Sequence, residues 1–287
     1  MIERCFPELR IRHCRHIAAG WENFVLEVNG EYVFRFPMSG GAERGLRRET
    51  SIVPELRRHL STHIPEYVFL WKGGPKYRHW FGGYPKINGE TLTRLKLTKA
   101  RVPKAAREVS RFLRELHSIN TRAKMLQSIP RSSSESSLRS LSLFHSKVRK
   151  LVYPLLNGKL RKDSESFWQG RLEYMGDVHY KPTFLHGDLG VENMLFDPTT
   201  LELTGVLDWS YVQMGDPAAE FAHLFTPYQD LGAAILKNYT IRGPEFRERV
   251  QWYVRSEPFY EIMWGIKQDS RKATRWGMDH LLSITFA

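Results

Sequence analysis

The chain has 287 residues, 41% of them hydrophobic and 13% aromatic, with a formal net charge of +12 at pH 7. That is an ordinary composition for a folded soluble protein, and the length fits one two-lobed domain or two small ones. No apolar run reaches the roughly 18 residues of a membrane span, and the opening "MIERCFPELRIRHCRH" is charged from its third residue without a signal-like core, so an intracellular, cytoplasmic protein with no membrane partner is expected.

The two cysteines, Cys5 and Cys14, are expected to be structural thiols, since this context does not favour a disulfide framework. His13 and His16 flank Cys14, but the spacing matches no zinc pattern. "ENFVLEVNGEYVFRF" (Glu22 to Phe36) predicts a hairpin, because Asn29-Gly30 suits a turn with positive φ at both positions. "GAERGLRRETSIVPELRRHL" predicts a helix with Leu46, Ile52, Val53, Leu56 and Leu60 on one face and a break or kink at Pro54. "EYVFLWK" and "HWFGGYPKI" predict two more strands around a Gly-Gly-Pro turn. Residues 1–88 therefore predict a small β-rich lobe, and residues 89–287 a larger, mostly helical one.

"ARVPKAAREVSRFLRELHSI" (Ala100 to Ile119) has the apolar spacing of an amphipathic helix. Residues 128–142, "SIPRSSSESSLRSLS", read as a mobile Ser-rich loop. "MLFD" and "LTGVLDW" predict a second hairpin around "PTTLE", and the chain from Pro217 onward predicts helices. Charge is uneven along this order. Residues 183–287 hold nine Lys/Arg and fourteen Asp/Glu, against thirty-four and seventeen in residues 1–182. The basic front part suits anions such as nucleotide phosphates, although a solvated basic surface would look the same.

The chemistry concentrates in "FLHGDLGVENMLF" (Phe184 to Phe196). His186-Gly187-Asp188-Leu189-x-x-x-Asn193 matches a kinase catalytic loop, H-R-D-L-x-x-x-N, at every fixed position but the Arg. Phosphoryl transfer needs a carboxylate to orient the attacking hydroxyl and accept its proton, and oxygen ligands for Mg²⁺ beside the phosphates. Asp188 suits the first task. Asn193, with Asp208 at the end of "TGVLDW", suits the second. Taken singly, His-Gly-Asp is a surface turn; the weight lies in the order HGDxxxxN, hairpin, Asp-Trp, "GDPAAEFAHL".

On "GWENFVLEVNGEYVFRFP", "FGGYPKINGETLT", "FLHGDLGVENMLF", "LTGVLDWS" and "GDPAAEFAHL", spread over residues 17–225, the chain resembles the aminoglycoside and macrolide phosphotransferases. These are small-molecule kinases with a two-lobed, protein-kinase-like α+β fold. The resemblance implies that Asp188 is the catalytic carboxylate and that Asn193 and Asp208 hold Mg²⁺, with ATP or GTP as phosphate donor. It implies that His186 braces the loop and that Asp216 and Glu220 support it or border the acceptor. Asp216 before Pro217 is equally a helix N-cap. Two departures stand in the front lobe. Arg35 occupies the usual Lys position, with Glu49 as expected partner, and the phosphate-covering loop "AAGWENF" offers Gly20 and Asn23 in place of a glycine-rich motif. Tyr84, Pro85, Lys86 and Ile87 fall at the hinge, where the purine would lie.

A polycationic acceptor wants carboxylates, and Glu192, Glu220, Glu257, Glu261 and Asp269 are available. A macrolide wants apolar walls, for which the tail offers Trp252, Phe259, Tyr260, Met263, Trp264 and Trp276, though such a stripe is commonly helix core. Three functions stay open. One is an antibiotic O-phosphotransferase. Another is a metabolic kinase acting on an amino sugar or amino alcohol. The third is a nucleotide- or nucleic-acid-binding protein with weak chemistry, which the intact catalytic set disfavours; no nucleic-acid partner is expected.

Overall fold

The computed structural model describes residues 1–19, 22–120, 129–226, 228–239 and 243–284. After a short helix α1 (Ile2–Cys5), five strands form one antiparallel sheet: β1 (Cys14–Ala19), β2 (Asn23–Val28), β3 (Tyr32–Pro37), β4 (Phe69–Gly74) and β5 (Tyr77–Pro85), in the order β1-β2-β3-β5-β4. The β2–β3 turn has Asn29 at φ 58 and Gly30 at φ 72, and the Glu31 N–H donates to the Val28 carbonyl at 3.0 Å, as the dipeptide predicts. Asn29 also works beyond the turn: its Oδ1 accepts the Arg12 and His13 N–H groups, so it pins the N-terminal segment to the sheet.

Strand alternation separates the two sheet faces. Phe34, Phe36 and Phe81 pack on one face with Ile2, Cys5 and Leu9. Arg35 points to the other, where helix α2 (Gly40–Leu56) lies. Ser39 caps α2 by accepting the Ala42 N–H, and Pro54 sits inside the last turn without ending the helix. The helix stops at Leu56, so Leu60 packs against the core from outside it.

The rest of the chain is mostly helical. It contains β6 (Glu90–Thr91), α3 (Leu92–Leu95), α4 (Val102–Ser118), α5 (Ser134–Leu151), α6 (Gly158–Asp177), β7 (Thr183–Leu185), β8 (Met194–Phe196), β9 (Leu203–Val206), β10 (Gln213–Gly215), α7 (Gln229–Asn238), α8 (Gly243–Lys267) and α9 (Arg271–Ser283). The apolar face of α4, through Val109, Phe112, Leu113 and Leu116, packs on Phe184, Met194, Phe196 and Trp209. Leu189 and Val191, inside the loop between β7 and β8, are buried in the same core, which fixes that loop from below. A second core joins α5, α6, α8 and α9 through Val148, Trp168, Phe259 and Leu281.

Two expectations are corrected. Most of the Ser-rich stretch is not a loop, because from Ser134 it is helix α5, opened by a capping box between Ser133 and Ser136. Its Leu141, His145 and Val148 face the second core, and burial outweighs the weak helix propensity of serine. Cys5 is a buried free thiol as expected, but Cys14 is an exposed one; among the described residues no group of three His, Cys, Asp or Glu could hold a metal ion. No helix among the described residues is long and apolar enough to cross a membrane.

Candidate active site

The loop from β7 to β8 carries the motif residues, and its path is set by glycine and histidine. Gly187 has φ 82, and a Cβ there would lie 2.3 Å from the Tyr211 carbonyl oxygen, so no other residue fits. His186 is fully buried. Its Nδ1 accepts the Asp188 N–H at 3.3 Å, which leaves the proton on Nε2 to donate to the Leu207 carbonyl at 2.9 Å. Burial lowers its pKa, so the ring is neutral and bridges the loop to the strand end that carries Asp208. Glu220 completes the brace, accepting the His186 N–H on Oε2 at 2.7 Å and the Gly187 N–H on Oε1 at 3.0 Å. At 2% exposure Glu220 is below the floor of the site rather than on its wall. Asp216 accepts the Ala218 N–H as an N-cap and the Arg249 Nε–H at 2.9 Å, and it too is buried.

Asp188, Asn193 and Asp208 converge. Asn193 Nδ2 donates to the Asp188 carbonyl at 2.8 Å and to its Oδ2 at 3.4 Å, while the Asn193 carbonyl accepts the N–H of Leu207, next to Asp208. Asp208 has φ 62, a left-handed conformation uncommon for an aspartate, and it turns the carboxylate away from the strand. The Asp188 carboxyl is pushed up to about 7, by burial first and by the nearby Asp208, Glu192 and Glu257 carboxylates, with His223 opposing.

Arg35 enters from the sheet above. Its Nη1 donates to Glu49 at 2.7 Å and its Nη2 to Asp208 at 2.6 Å, with the Tyr67 hydroxyl 3.3 Å from Nη1. Burial disfavours the guanidinium charge, but Glu49 and Asp208 outweigh it, so Arg35 stays protonated. Asp208 is likewise held below the ordinary carboxylate range by Arg35, against burial. A Cβ on Gly45 of α2 would lie 2.9 Å from Ser210 Cβ, so a glycine lets α2 press against the Asp208 segment. The Tyr211 hydroxyl donates to Glu22, a second link between the sheet and the segment that carries Asp208.

The donor set suits a hard divalent ion. Asn193 commits its Nδ2 to Asp188 and keeps an amide oxygen, Asp208 adds a carboxylate, and the mutual repulsion of Asp188 and Asp208 is what such an ion would relieve. Asn23 shares a sheet face with Arg35 by alternation. Its Oδ1 is buried and finds no hydrogen-bond partner among the described residues, a polar atom that a bound nucleotide or its water could satisfy. Gly20 lies outside the described residues. In the segment expected to be the hinge, Tyr84 is buried edge-on to Tyr67, and Lys86 spends its N–H on the Glu31 carbonyl (2.7 Å) and its ammonium on Glu27 (2.7 Å).

The acidic acceptor candidates separate. Glu192 is exposed at the loop. Glu257 is 8% exposed and 3.3 Å from His223, and Glu261 pairs with His280 at 2.8 Å. Trp264 follows Glu257 and Glu261 at helical spacing and is half-buried. Phe259 is core, while Trp252 and Met263 pack against that core. Asp269 and Trp276 are exposed. Sequence reasoning missed His223 and Tyr211. Each lies three residues beyond a residue that was singled out, Tyr211 after Asp208 and His223 after Glu220, on short 3-10 turns of helix whose direction only the packing sets.

A profile of the phosphotransferase enzyme family matches residues 13–253. Viomycin phosphotransferase of Streptomyces vinaceus is 29% identical over 148 residues, which are 50% of this chain and 48% of that protein. The chain thus spans about half of that relative's length, and 10% and 4% of two other curated relatives it matches. Among solved structures, the GDP and kanamycin complex of APH(2″)-IIIa aligns at a TM-score of 0.87 and 23% identity, covering 98% of this chain and 95% of that one. Macrolide 2′-phosphotransferase type I aligns at a TM-score of 0.75 and 16% identity, covering 98% and 94%. Identities this low speak for the shared kinase-like α+β fold alone.

Proposed function

The chain belongs to the phosphotransferase enzyme family, and from that membership we propose that it moves the γ-phosphate of ATP or GTP to a hydroxyl of a small molecule, with aminoglycoside or macrolide antibiotics as the favoured acceptor class. The observation that carries this reading is the convergence of Asp188, Asn193 and Asp208 under the Arg35–Glu49 pair. Asp188 orients the acceptor hydroxyl and takes its proton as the new P–O bond forms. Asn193, through its amide oxygen, and Asp208 would hold Mg²⁺, which when bound offsets charge on the triphosphate. Arg35 supplies a fixed positive charge on the sheet side of the phosphates, and its planar fork can serve both a carboxylate and a phosphate oxygen. Asn23 fits the phosphate side of the cleft, and the Tyr84–Ile87 segment the base, using groups other than the Lys86 N–H.

One observation favours a second reading. Glu257 and Glu261 each already face a histidine, which reduces the negative charge left for a polycation. A kinase for an acceptor with a single amine, such as an amino sugar or amino alcohol, fits that balance better. Phosphate transfer from ATP and from GTP, measured against kanamycin, gentamicin, streptomycin, viomycin, a macrolide panel and small amino alcohols, decides between them. Transfer to an antibiotic supports the first reading, transfer confined to the small alcohols supports the second, and no transfer or nucleotide-dependent thermal shift with any of them defeats both.

A further inference from the structure

We propose that His223 is a positioning residue for Asp188: its imidazole, anchored on Glu257, holds the Asp188 carboxylate in the orientation that phosphate transfer requires. The inference rests on the phosphotransferase reading and adds to it a residue outside the loop motif. Asp188 needs such a support. Within its own loop the carboxylate receives one long contact, 3.4 Å from the Asn193 amide to Oδ2, and Gly187 and Gly190 on either side of the Asp188–Leu189 step offer no side chain. The other oxygen, Oδ1, faces His223 Nε2 at 3.8 Å.

The imidazole is itself fixed from behind. Nδ1 lies 3.3 Å from Glu257 Oε1, and Glu257 is 8% exposed on α8. The turn that carries His223 is seated by Ala222 and Leu224, both buried. His223 and Asp188 each keep about a third of their side-chain surface (35% and 35%), so the pair is open to an approaching acceptor hydroxyl. Contacts of this kind are commonly long in a free enzyme and tighten when substrates bind.

Charge fixes the role. Asp188, Glu192, Glu220 and Glu257 all act on His223, and the surrounding acids hold its imidazole above the ordinary histidine value although burial opposes them. Of the other imidazoles near these acids, His186 is kept neutral by burial, and His117 lies beside Glu220 with its Nδ1 on the Tyr239 hydroxyl. Arg35 pairs with Glu49 and Asp208, not with Asp188. His223 is thus a positive group that faces Asp188 at 3.8 Å. It draws Oδ1 toward itself and opposes the neighbouring carboxylates, so that the other oxygen can meet the acceptor hydroxyl. Asp188, and not the imidazole, takes the proton.

The test uses the full chain with MgATP and MgGTP, following phosphate release to water, in which water stands for the acceptor hydroxyl, and transfer to kanamycin. For His223→Gln, kcat is expected to fall about tenfold or more while the nucleotide KM stays within about twofold. Glu257→Gln should lose part of the same factor, and the double variant should be no slower than His223→Gln, because the two act as one unit. A readout without turnover goes with it: in ¹³C-histidine-labelled protein, the His223 ring signal should move in Asp188→Asn. This decides the matter should His223→Gln fold poorly.

An unchanged kcat, a loss confined to the kanamycin KM, a ring signal indifferent to Asp188→Asn, or a loss as complete as that of Asp188→Asn each overturns the proposal, the last because it would make His223 the base. Wild-type protein that neither hydrolyses either nucleotide nor transfers phosphate to kanamycin or to any other acceptor of the panel above defeats the phosphotransferase reading first, and the proposal with it. An active wild type with an indifferent His223→Gln defeats the proposal alone.

Discussion

Asp188 is held in a costly state. Its carboxyl sits at about 7 against an ordinary 3.8, so ionisation is disfavoured by the fold at neutral pH. The sign follows: the side chain favours the folded state below 3.8, and that contribution is lost as pH rises through about 7. Asp188→Asn should therefore abolish phosphate transfer and raise the melting temperature of the nucleotide-free protein at pH 8, while leaving nucleotide binding nearly intact. An unchanged turnover would remove Asp188 from the mechanism. For the same reason kcat/KM should fall on the acid side of about 7, as the base is protonated. Arg35 is the opposite case. Glu49 is 0% exposed and Arg35 4%, so Arg35→Met leaves a buried carboxylate without its cation, at a cost of about 3–5 kcal/mol in urea denaturation.

Short elements set the angles between these groups. Gly187 combines φ 82 with a carbonyl 2.3 Å from the place of a Cβ, so Gly187→Ala should displace either Asp188 or the Tyr211 segment. Strained backbone of this kind costs about 1–2 kcal/mol, and transfer should suffer more than stability does; equal, small effects on both would mean that the loop tolerates the shift. Helix α5 illustrates where local reading stops. Seven serines between Ser132 and Ser142 looked like a loop, yet Ser133 and Ser136 form a capping box and the helix buries Leu141 and Val148. Ser133→Ala should cost about 1 kcal/mol of stability with no change in nucleotide KM. The β2–β3 turn was legible because its φ requirement belongs to Asn29 and Gly30 themselves. The α5 helix was not, because its stability comes from partners on α6 and α8 that are remote in the chain.

Across the whole molecule, the sheet with α2 presses on the Asp208–Tyr211 segment through Arg35–Asp208, Gly45–Ser210 and Tyr211–Glu22. A ligand held between these parts should stabilise all of them together. Nucleotide at about 100 times its Kd should add about 2.7 kcal/mol of stability, and EDTA or Asp208→Ala should remove the Mg²⁺-dependent part; a thermal shift indifferent to both would count against Asp208 as a metal ligand. The thirty-four Lys/Arg and seventeen Asp/Glu of residues 1–182 suit the same nucleotide anion. If they served nucleic acid instead, binding would appear in a gel-shift titration and fall steeply with salt.

The linear order of residues sufficed to bring out the loop with Asp188 and Asn193, the hairpins and the two-lobed architecture, because spacing, turn chemistry and alternation are properties of neighbours along the backbone. It did not reveal that Arg35 bridges Glu49 and Asp208, that Glu220 lies under the loop instead of in the cleft, or that His223 reaches Asp188 with Glu257 behind it. Those are meetings between side chains up to 173 positions apart. They exist only once burial of the apolar faces has chosen which surfaces touch, and charge and hydrogen bonding then act at the distances that packing leaves.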